Sequence, residues 1–255
     1  MIDFSGQVVL VTGGGAGIGR ATVSAFVDCG ATVVVLEIDA ARAAELRQAY
    51  EQRVLVVEGD ASDPADVTTL AEVIGERYGR LNVLVNNVGH VVTRPMRFES
   101  LRDDQIDDIY RLNLKHIFLV TRTMLPLLRT ADAPSSIVNV SSVEAMRGIP
   151  GFSVYGAFKT AITGFTMSLA LELGPEGIRV NAVAPETTDS AHVVLDDMIH
   201  PSQRHNIPRW IPLRRFGTPE DIAGCVLFLV GWYRDDRGKW TNMPVIKGNS
   251  SRPAE

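Results

Sequence analysis

The sequence predicts an α/β fold, a doubly wound parallel sheet with helices on both faces. Three observations carry that prediction. Short β-branched and apolar runs recur along the chain, stretches with apolar residues three and four apart separate them, and helix-start signals stand where such stretches begin. Unbroken apolar runs suit strands buried on both faces, and strands alternating with helices build repeated βαβ units.

Taken in order, the first strand is Val8-Val9-Leu10-Val11, and a glycine-rich turn leads from it into a helix with apolar spacing from Ala21 to Val27. The second and third strands are Val33-Val34-Val35-Leu36 and Val54-Leu55-Val56-Val57. Asp63-Pro64-Ala65-Asp66 then supplies an N-cap, a proline at the first helical position and an acid in the first turn, opening a helix that runs to Tyr78. Val83-Leu84-Val85 is the fourth strand. Asp103, Asp104, Asp107 and Asp108 open a helix containing Tyr110, Leu114 and Leu119; the acids read as favourable dipole charge on a solvated face, not as a metal site. Ile137-Val138-Asn139-Val140 and Val180-Asn181-Ala182-Val183 are the fifth and sixth strands, and Thr218-Pro219-Glu220-Asp221 opens a helix through Ile222 to Leu229. No long linker, repeat or low-complexity tract interrupts the series, so residues 1–255 are expected to form a single domain.

Composition excludes several function classes. The chain has 255 residues, 45% hydrophobic and 22% charged, which is ordinary for a globular protein and enough to bury a large core. A formal net charge of −5 argues against nucleic acid or an anionic membrane as partner, since both need a basic face. Cys29 and Cys225 lie far apart and form no C-x-x-C pair, so reduced thiols are expected rather than a disulfide or a zinc site. Met1 to Gly6 lacks a signal-peptide pattern, and no apolar stretch approaches the ~20 residues of a membrane span. A cytoplasmic location follows as the expectation.

The first turn reads Thr12-Gly13-Gly14-Gly15-Ala16-Gly17-Ile18-Gly19, with a strand before it and a helix after. Glycines belong where the chain turns sharply and where backbone must approach a pyrophosphate, and the following helix aims free N–H groups at the phosphates. Gly13, Gly15, Gly17, Ile18 and Gly19 are therefore candidate cofactor contacts. Glu37 ends the second strand 18 residues after Gly19, near the position of the acid that holds a ribose 2′-hydroxyl. A carboxylate there repels a 2′-phosphate, and the glycine turn holds no Arg or Lys to receive one, so the cofactor is read as NAD(H) rather than NADP(H).

Tyr155 and Lys159 stand four apart, on one face of a helix. A tyrosine near pKa 10 is a poor base at neutral pH, and a neighbouring ammonium, aided by an oxidised nicotinamide, is expected to lower it. Ser142, 13 residues upstream and just after a buried strand, carries a hydroxyl suited to holding a substrate oxygen. With Asn86-Asn87-Val88-Gly89 and Asn113 these motifs occur in order, and from about Phe4 to Leu229 the chain resembles the short-chain dehydrogenase/reductase superfamily. The resemblance implies a Rossmann-like three-layer αβα sandwich with strand order 3-2-1-4-5-6-7. It also implies that Tyr155 is the general acid/base, that Lys159 binds the nicotinamide ribose and lowers the Tyr155 pKa, and that Ser142 orients the carbonyl or hydroxyl. Asn113 would hold a proton-relaying water, Asn87 and Gly89 would line the cofactor cleft, and Asp60 and Ala61 would flank the adenine. Ser141 reads as backbone support.

The chain departs from the family pattern in places. After the sixth strand the family reads Pro-Gly and then Thr; here it is Pro185-Glu186-Thr187-Thr188-Asp189-Ser190, with Pro185, Thr188 and Ser190 matching cofactor positions and Glu186 in place of the glycine. Residues about 189–216 correspond to a substrate lid whose inner face would include Trp210, Ile211, Met198 and Ile199. Glu144 is a candidate contact for a second hydroxyl, as a diol or polyol would offer, and His90 is a candidate at the cleft rim. His192, His200 and His205 lack a paired metal spacing. At the C-terminus, Val230-Gly231 leads at once into an atypical tail, about 231–255, and Met243-Pro244-Val245-Ile246 is a poor seventh strand because proline is tolerated mainly at edges. That strand is either rebuilt or missing.

Together these features predict an oxidoreductase that transfers a hydride between NAD(H) and a secondary alcohol or ketone, such as a cyclic alcohol, a dihydrodiol or a steroid. An NADPH-dependent 3-oxoacyl thioester reductase and a catalytically idle dinucleotide-binding protein stay open as alternatives. The expected partners are a small-molecule substrate and copies of the chain itself, as a dimer or tetramer; no metal is expected.

Overall fold

The computed structural model describes residues 3–91, 95–132, 134–188, 211–234 and 240–242, with backbone alone for 232–234 and 240–242. Six parallel strands form one sheet: β1 (Val8–Thr12), β2 (Thr32–Glu37), β3 (Val54–Glu58), β4 (Val83–Asn86), β5 (Ser136–Val140) and β6 (Arg179–Val183). Their order is β3-β2-β1-β4-β5-β6, which is the Rossmann-like arrangement expected for the first six strands. The helices are α1 (Gly17–Asp28), α2 (Ala40–Tyr50), α3 (Pro64–Tyr78), α4 (Asp103–Tyr110), α5 (His116–Arg129), α6 (Ser153–Leu173) and α7 (Pro219–Val230). Among the described residues, no helix is long and apolar enough to cross a membrane.

The period-two alternation of side chains divides the apolar strand residues between two cores. Val9, Val11, Val33, Val35 and Val85 meet Phe26 of α1, Leu46 of α2 and Val226 of α7 on one face. Leu10, Val34, Leu84 and Ile137 meet Leu70 and Ile74 of α3, Met124 of α5 and Leu173 of α6 on the other. Each fully buried side chain of this size contributes about 1.5–3 kcal/mol, so both cores hold the sheet between its helical layers.

The helix-start signals act as read. Asp63 accepts hydrogen bonds from the Ala65 and Asp66 amides, with Pro64 at the first helical position. Thr218 and Asp221 form a reciprocal capping box at α7. The helix opened by the aspartates is broken by a π turn, Arg111–Lys115, between α4 and α5.

Two expectations are modified. The sixth-strand run was read as buried on both faces, but in β6 only Val180 is buried, and in β3 Leu55 and Val57 are partly exposed. Both are end strands of the six, so part of each lacks a covering neighbour. Among the described residues no seventh strand extends the sheet. Instead β7 (Trp232–Arg234) pairs antiparallel with β8 (Trp240–Asn242) in a separate ribbon. Gly231 alone separates α7 from β7, and returning a chain to a parallel sheet edge needs a connection of about two to six residues. Met243 to Ile246 lie outside the described residues.

Candidate active site

A cleft of about 480 Å³ opens where β1, β2, β4, β5 and β6 end, the place where open parallel sheets bind ligands. One end is built by the glycine turn. Gly13 (φ +65°) and Gly17 (φ +51°) occupy left-handed backbone, and a Cβ on Gly19 would stand 2.1 Å from the Gly13 carbonyl oxygen. Ala16 caps α1 without a side-chain hydrogen bond, so the first N–H groups of that helix have no side-chain acceptor from the cap. Ala16, Gly17, Ile18 and Gly19 all line the cleft. This cradle fits a pyrophosphate. Asn87, just past β4, donates from Nδ2 to the Thr12 and Gly13 carbonyls, both at 3.0 Å, and so ties the turn to the sheet.

Glu37 lines the same end. Its carboxylate is buried, accepting the Gly15 amide at 2.8 Å and the Asp39 amide at 3.1 Å. Gly15 does not itself border the cleft; it lies against Glu37, where a Cβ would approach the carboxylate to 2.6 Å. Arg42 of α2 also borders this end, a cation not anticipated because it comes from the helix and not from the glycine turn.

At the other end Ser142, Glu144, Tyr155 and Lys159 line one wall. Tyr155 and Lys159 lie one helical turn apart on α6, with Nζ 5.6 Å from the phenol ring centroid. Lys159 is buried and donates to the Val140 carbonyl at 3.3 Å. Ser141 donates to the Lys159 carbonyl at 2.9 Å, which makes it the backbone support that was read. Ser142 donates its hydroxyl to Glu144 Oε2. Asn113 is buried in the π turn behind the cleft wall; its Nδ2 donates to the His90 and Ile109 carbonyls, both at 3.1 Å. The same Gly89 position brings Lys159 and Asn113 together: a Cβ there would stand 3.0 Å from Nζ and 3.1 Å from Asn113 Oδ1.

The electrostatics differ from the expectation at Tyr155. Burial pushes its phenol up to about 12, a hydrogen bond with Ser142 opposes the rise, and Glu144 adds to it. No lowering from Lys159 offsets the burial; its ammonium is held against the Val140 carbonyl instead. Burial also brings Lys159 down to about 8, with Glu144 opposing. His116, wholly buried at the start of α5, falls to about 3 through burial and then the Lys159 charge.

The remaining candidates divide. Gly89, His90, Pro185 and Thr188 line the cleft, although the Thr188 hydroxyl is donated to the Glu186 carbonyl at 2.8 Å. Asp60 and Ala61 do not line it; Ala61 is buried, and Asp60 accepts from Arg111 at 3.1 Å and from Ser62. Ser190, Trp210 and most of the lid, residues 189–210, lie outside the described residues. Glu186, in place of a glycine, avoids the left-handed region and pairs with Arg147 at 2.7 Å. Arg147 was not anticipated, since nothing in its sequence neighbourhood marks a partner 39 positions away.

Comparison with known proteins agrees with this architecture. The family described as short chain dehydrogenase matches residues 7–196. The chain is 35% identical over 227 residues to the 3-oxoacyl-[acyl-carrier-protein] reductase FabG of Thermotoga maritima, covering 88% of this chain and 90% of that protein. It is 32% identical over 253 residues to levodione reductase of Leifsonia aquatica, covering 95% and 92%. A crystal structure of 3-ketoacyl-(acyl-carrier-protein) reductase from Brucella melitensis complexed with NADH superposes with a TM-score of 0.82 at 30% identity, covering 89% of this chain and 91% of that one. The family match spans well over half of the chain, and this protein belongs to the short chain dehydrogenase family.

Proposed function

We propose that the protein transfers a hydride between NAD(H) and a secondary alcohol or its ketone. As a family member it is an NAD(P)-dependent oxidoreductase; the choice of NAD(H) and of a secondary alcohol is the finer reading. The observation that carries it is the convergence of Ser142, Tyr155 and Lys159 on one wall of a cleft whose other end is the glycine cradle. When bound, the nicotinamide supplies or accepts the hydride.

Tyr155 takes the hydroxyl proton in oxidation and returns it in reduction. Ser142 orients the substrate oxygen, and Lys159 holds the ribose hydroxyls. Asn113 steadies a relaying water behind Lys159. Burial, with Glu144 adding to it, raises the Tyr155 pKa, and the positive charge of an oxidised nicotinamide, when bound, would favour the phenolate. Glu37 holds the adenosine ribose, with Gly13, Gly17, Ile18, Gly19, Asn87, Gly89, Pro185 and Thr188 along the cofactor. Leu112, Ile149 and Phe152 give the substrate end an apolar wall, which suits a small to medium-sized, partly apolar alcohol.

A second reading, an NADPH-dependent 3-oxoacyl thioester reductase, is favoured by the likeness to FabG and by Arg42 beside Glu37. One experiment separates the two. Purified protein is offered a panel of secondary alcohols with NAD+ or NADP+, and 3-oxoacyl thioesters with NADH or NADPH, read as nicotinamide absorbance. Turnover of an alcohol with NAD+, reduced by roughly 10²–10⁴ in Tyr155→Phe with cofactor binding retained, is the expected result. Turnover confined to thioesters with NADPH overturns the assignment.

A further inference from the structure

The substrate end of the cleft carries more acid than the proposed chemistry requires. Glu144 and Glu186 both line it. They come from different loops, after β5 and after β6, and share one guanidinium. Arg147 Nη2 donates to Glu186 Oε1 at 2.7 Å but reaches Glu144 Oε1 only at 3.4 Å. Glu186 Oε1 also accepts from the Thr187 amide at 2.9 Å and its hydroxyl at 3.1 Å, so this partner of the clasp is well held. Glu144 is left with the Ser142 hydroxyl on Oε2 and a long contact on Oε1, and its side chain keeps 19% exposure toward the cleft. An ionised carboxylate offers about four acceptor sites, so Oε1 has capacity to spare. Among the described residues, the other cations of the cleft serve elsewhere: Lys159 is buried against Val140, and Arg42 borders the far end at Glu37.

We infer that the Arg147–Glu186 clasp leaves Glu144 as an anionic subsite beside the reacting carbon, which takes an ammonium first, a second hydroxyl next, and rejects a carboxylate. The preferred substrates are then 1,2-amino alcohols. This inference rests on the hydride-transfer reading of the cleft. A donor on the substrate pairs with Oε1, whereas an anion meets two carboxylates and one committed guanidinium, a repulsive arrangement that discriminates as strongly as an attractive one. Glu144 also opposes ionisation of Tyr155, the base the reaction needs, so a substrate cation seated on Glu144 offsets that opposition.

The test uses four alcohols of one skeleton: cyclohexanol, trans-2-aminocyclohexanol, trans-1,2-cyclohexanediol and 2-hydroxycyclohexanecarboxylate. With NAD+ at pH 7.5, kcat/KM is expected to fall from amine to diol to carboxylate, the amine leading the carboxylate by roughly tenfold or more. Glu144→Gln is expected to collapse that ratio toward one. Glu186→Gln, which releases Arg147 to pair with Glu144, is expected to lower it several-fold. An unchanged ratio in Glu144→Gln, or a wild-type preference for the carboxylate, overturns the subsite. Binding of the same four compounds to protein holding NADH, followed by nicotinamide fluorescence, gives the ratio without turnover. Absence of turnover with all four then counts against hydride transfer to such alcohols, while the binding ratio still decides the subsite. A cofactor-induced thermal shift shows that each variant is folded.

Discussion

Lys159 shows how much a single residue's chemistry depends on the body around it. Its position four after Tyr155 was legible, because helical spacing alone puts the two on one face. Its burial was not, and burial sets its pKa near 8 against an ordinary 10.5. That gap corresponds to about 3 kcal/mol against the protonated form in the folded state. Below about pH 8 both folded and unfolded chains carry the proton, and the folded state bears the cost. Between about 8 and 10.5 the folded state has released it while the unfolded chain still binds it, so this group's contribution to stability rises with pH. Lys159→Met is therefore expected to be more stable than the parent at pH 7, by about 2 kcal/mol after allowing for the lost hydrogen bond to Val140. Urea unfolding at pH 7 and pH 10 checks this. A difference that is absent at pH 7, or that does not shrink by pH 10, refutes the burial cost.

At the scale of elements, the strands and most helix starts were legible because their causes are local. Asp63 caps α3 through amides two and three residues away, and Thr218 caps α7 through the amide three residues away. The glycine turn between β1 and α1 was legible, yet its internal support was not. Gly15 serves Glu37 across 22 positions, and Gly19 packs on Gly13 so closely that no side chain fits. Gly19→Ala is expected to push the start of α1 away from β1, costing about 1–3 kcal/mol of stability and at least tenfold in cofactor affinity. Cofactor titration followed by intrinsic fluorescence, beside a thermal melt, checks both numbers; wild-type affinity in this variant removes the turn from the binding site. The π turn had no sequence signal, since its residues read as continuous helix. It is nonetheless the feature that seats Asn113 under His90.

For the whole molecule, the question is what the assembled cleft binds. A ligand that binds only the folded state stabilises it by mass action, by about 2.7 kcal/mol at a hundred times its Kd. For a chain of this size that is a rise in Tm of roughly 5–10 °C. NAD+ is expected to give such a shift, and NADP+ at the same concentration a smaller one, because the buried Glu37 carboxylate lines the glycine-turn end of the cleft and would repel a 2′-phosphate there. A larger shift with NADP+ transfers the assignment to Arg42, which borders the same end. This measurement needs no substrate, so it decides the cofactor independently of the reaction.

Sequence by itself determined the α/β class and the six-strand series, and it marked the glycine turn and the Tyr155, Lys159 and Ser142 set that line one cleft. All of these rest on periodicity, capping or short motif spacing, which near neighbours in the chain control. Tertiary structure alone decided the raised phenol of Tyr155, the clasp of Arg147 on Glu186, the presence of Arg42 beside Glu37, and the antiparallel ribbon after α7. These depend on distances and solvent exclusion between segments remote in sequence. Coulombic and desolvation energies follow those distances, and hydrophobic patterning does not encode them.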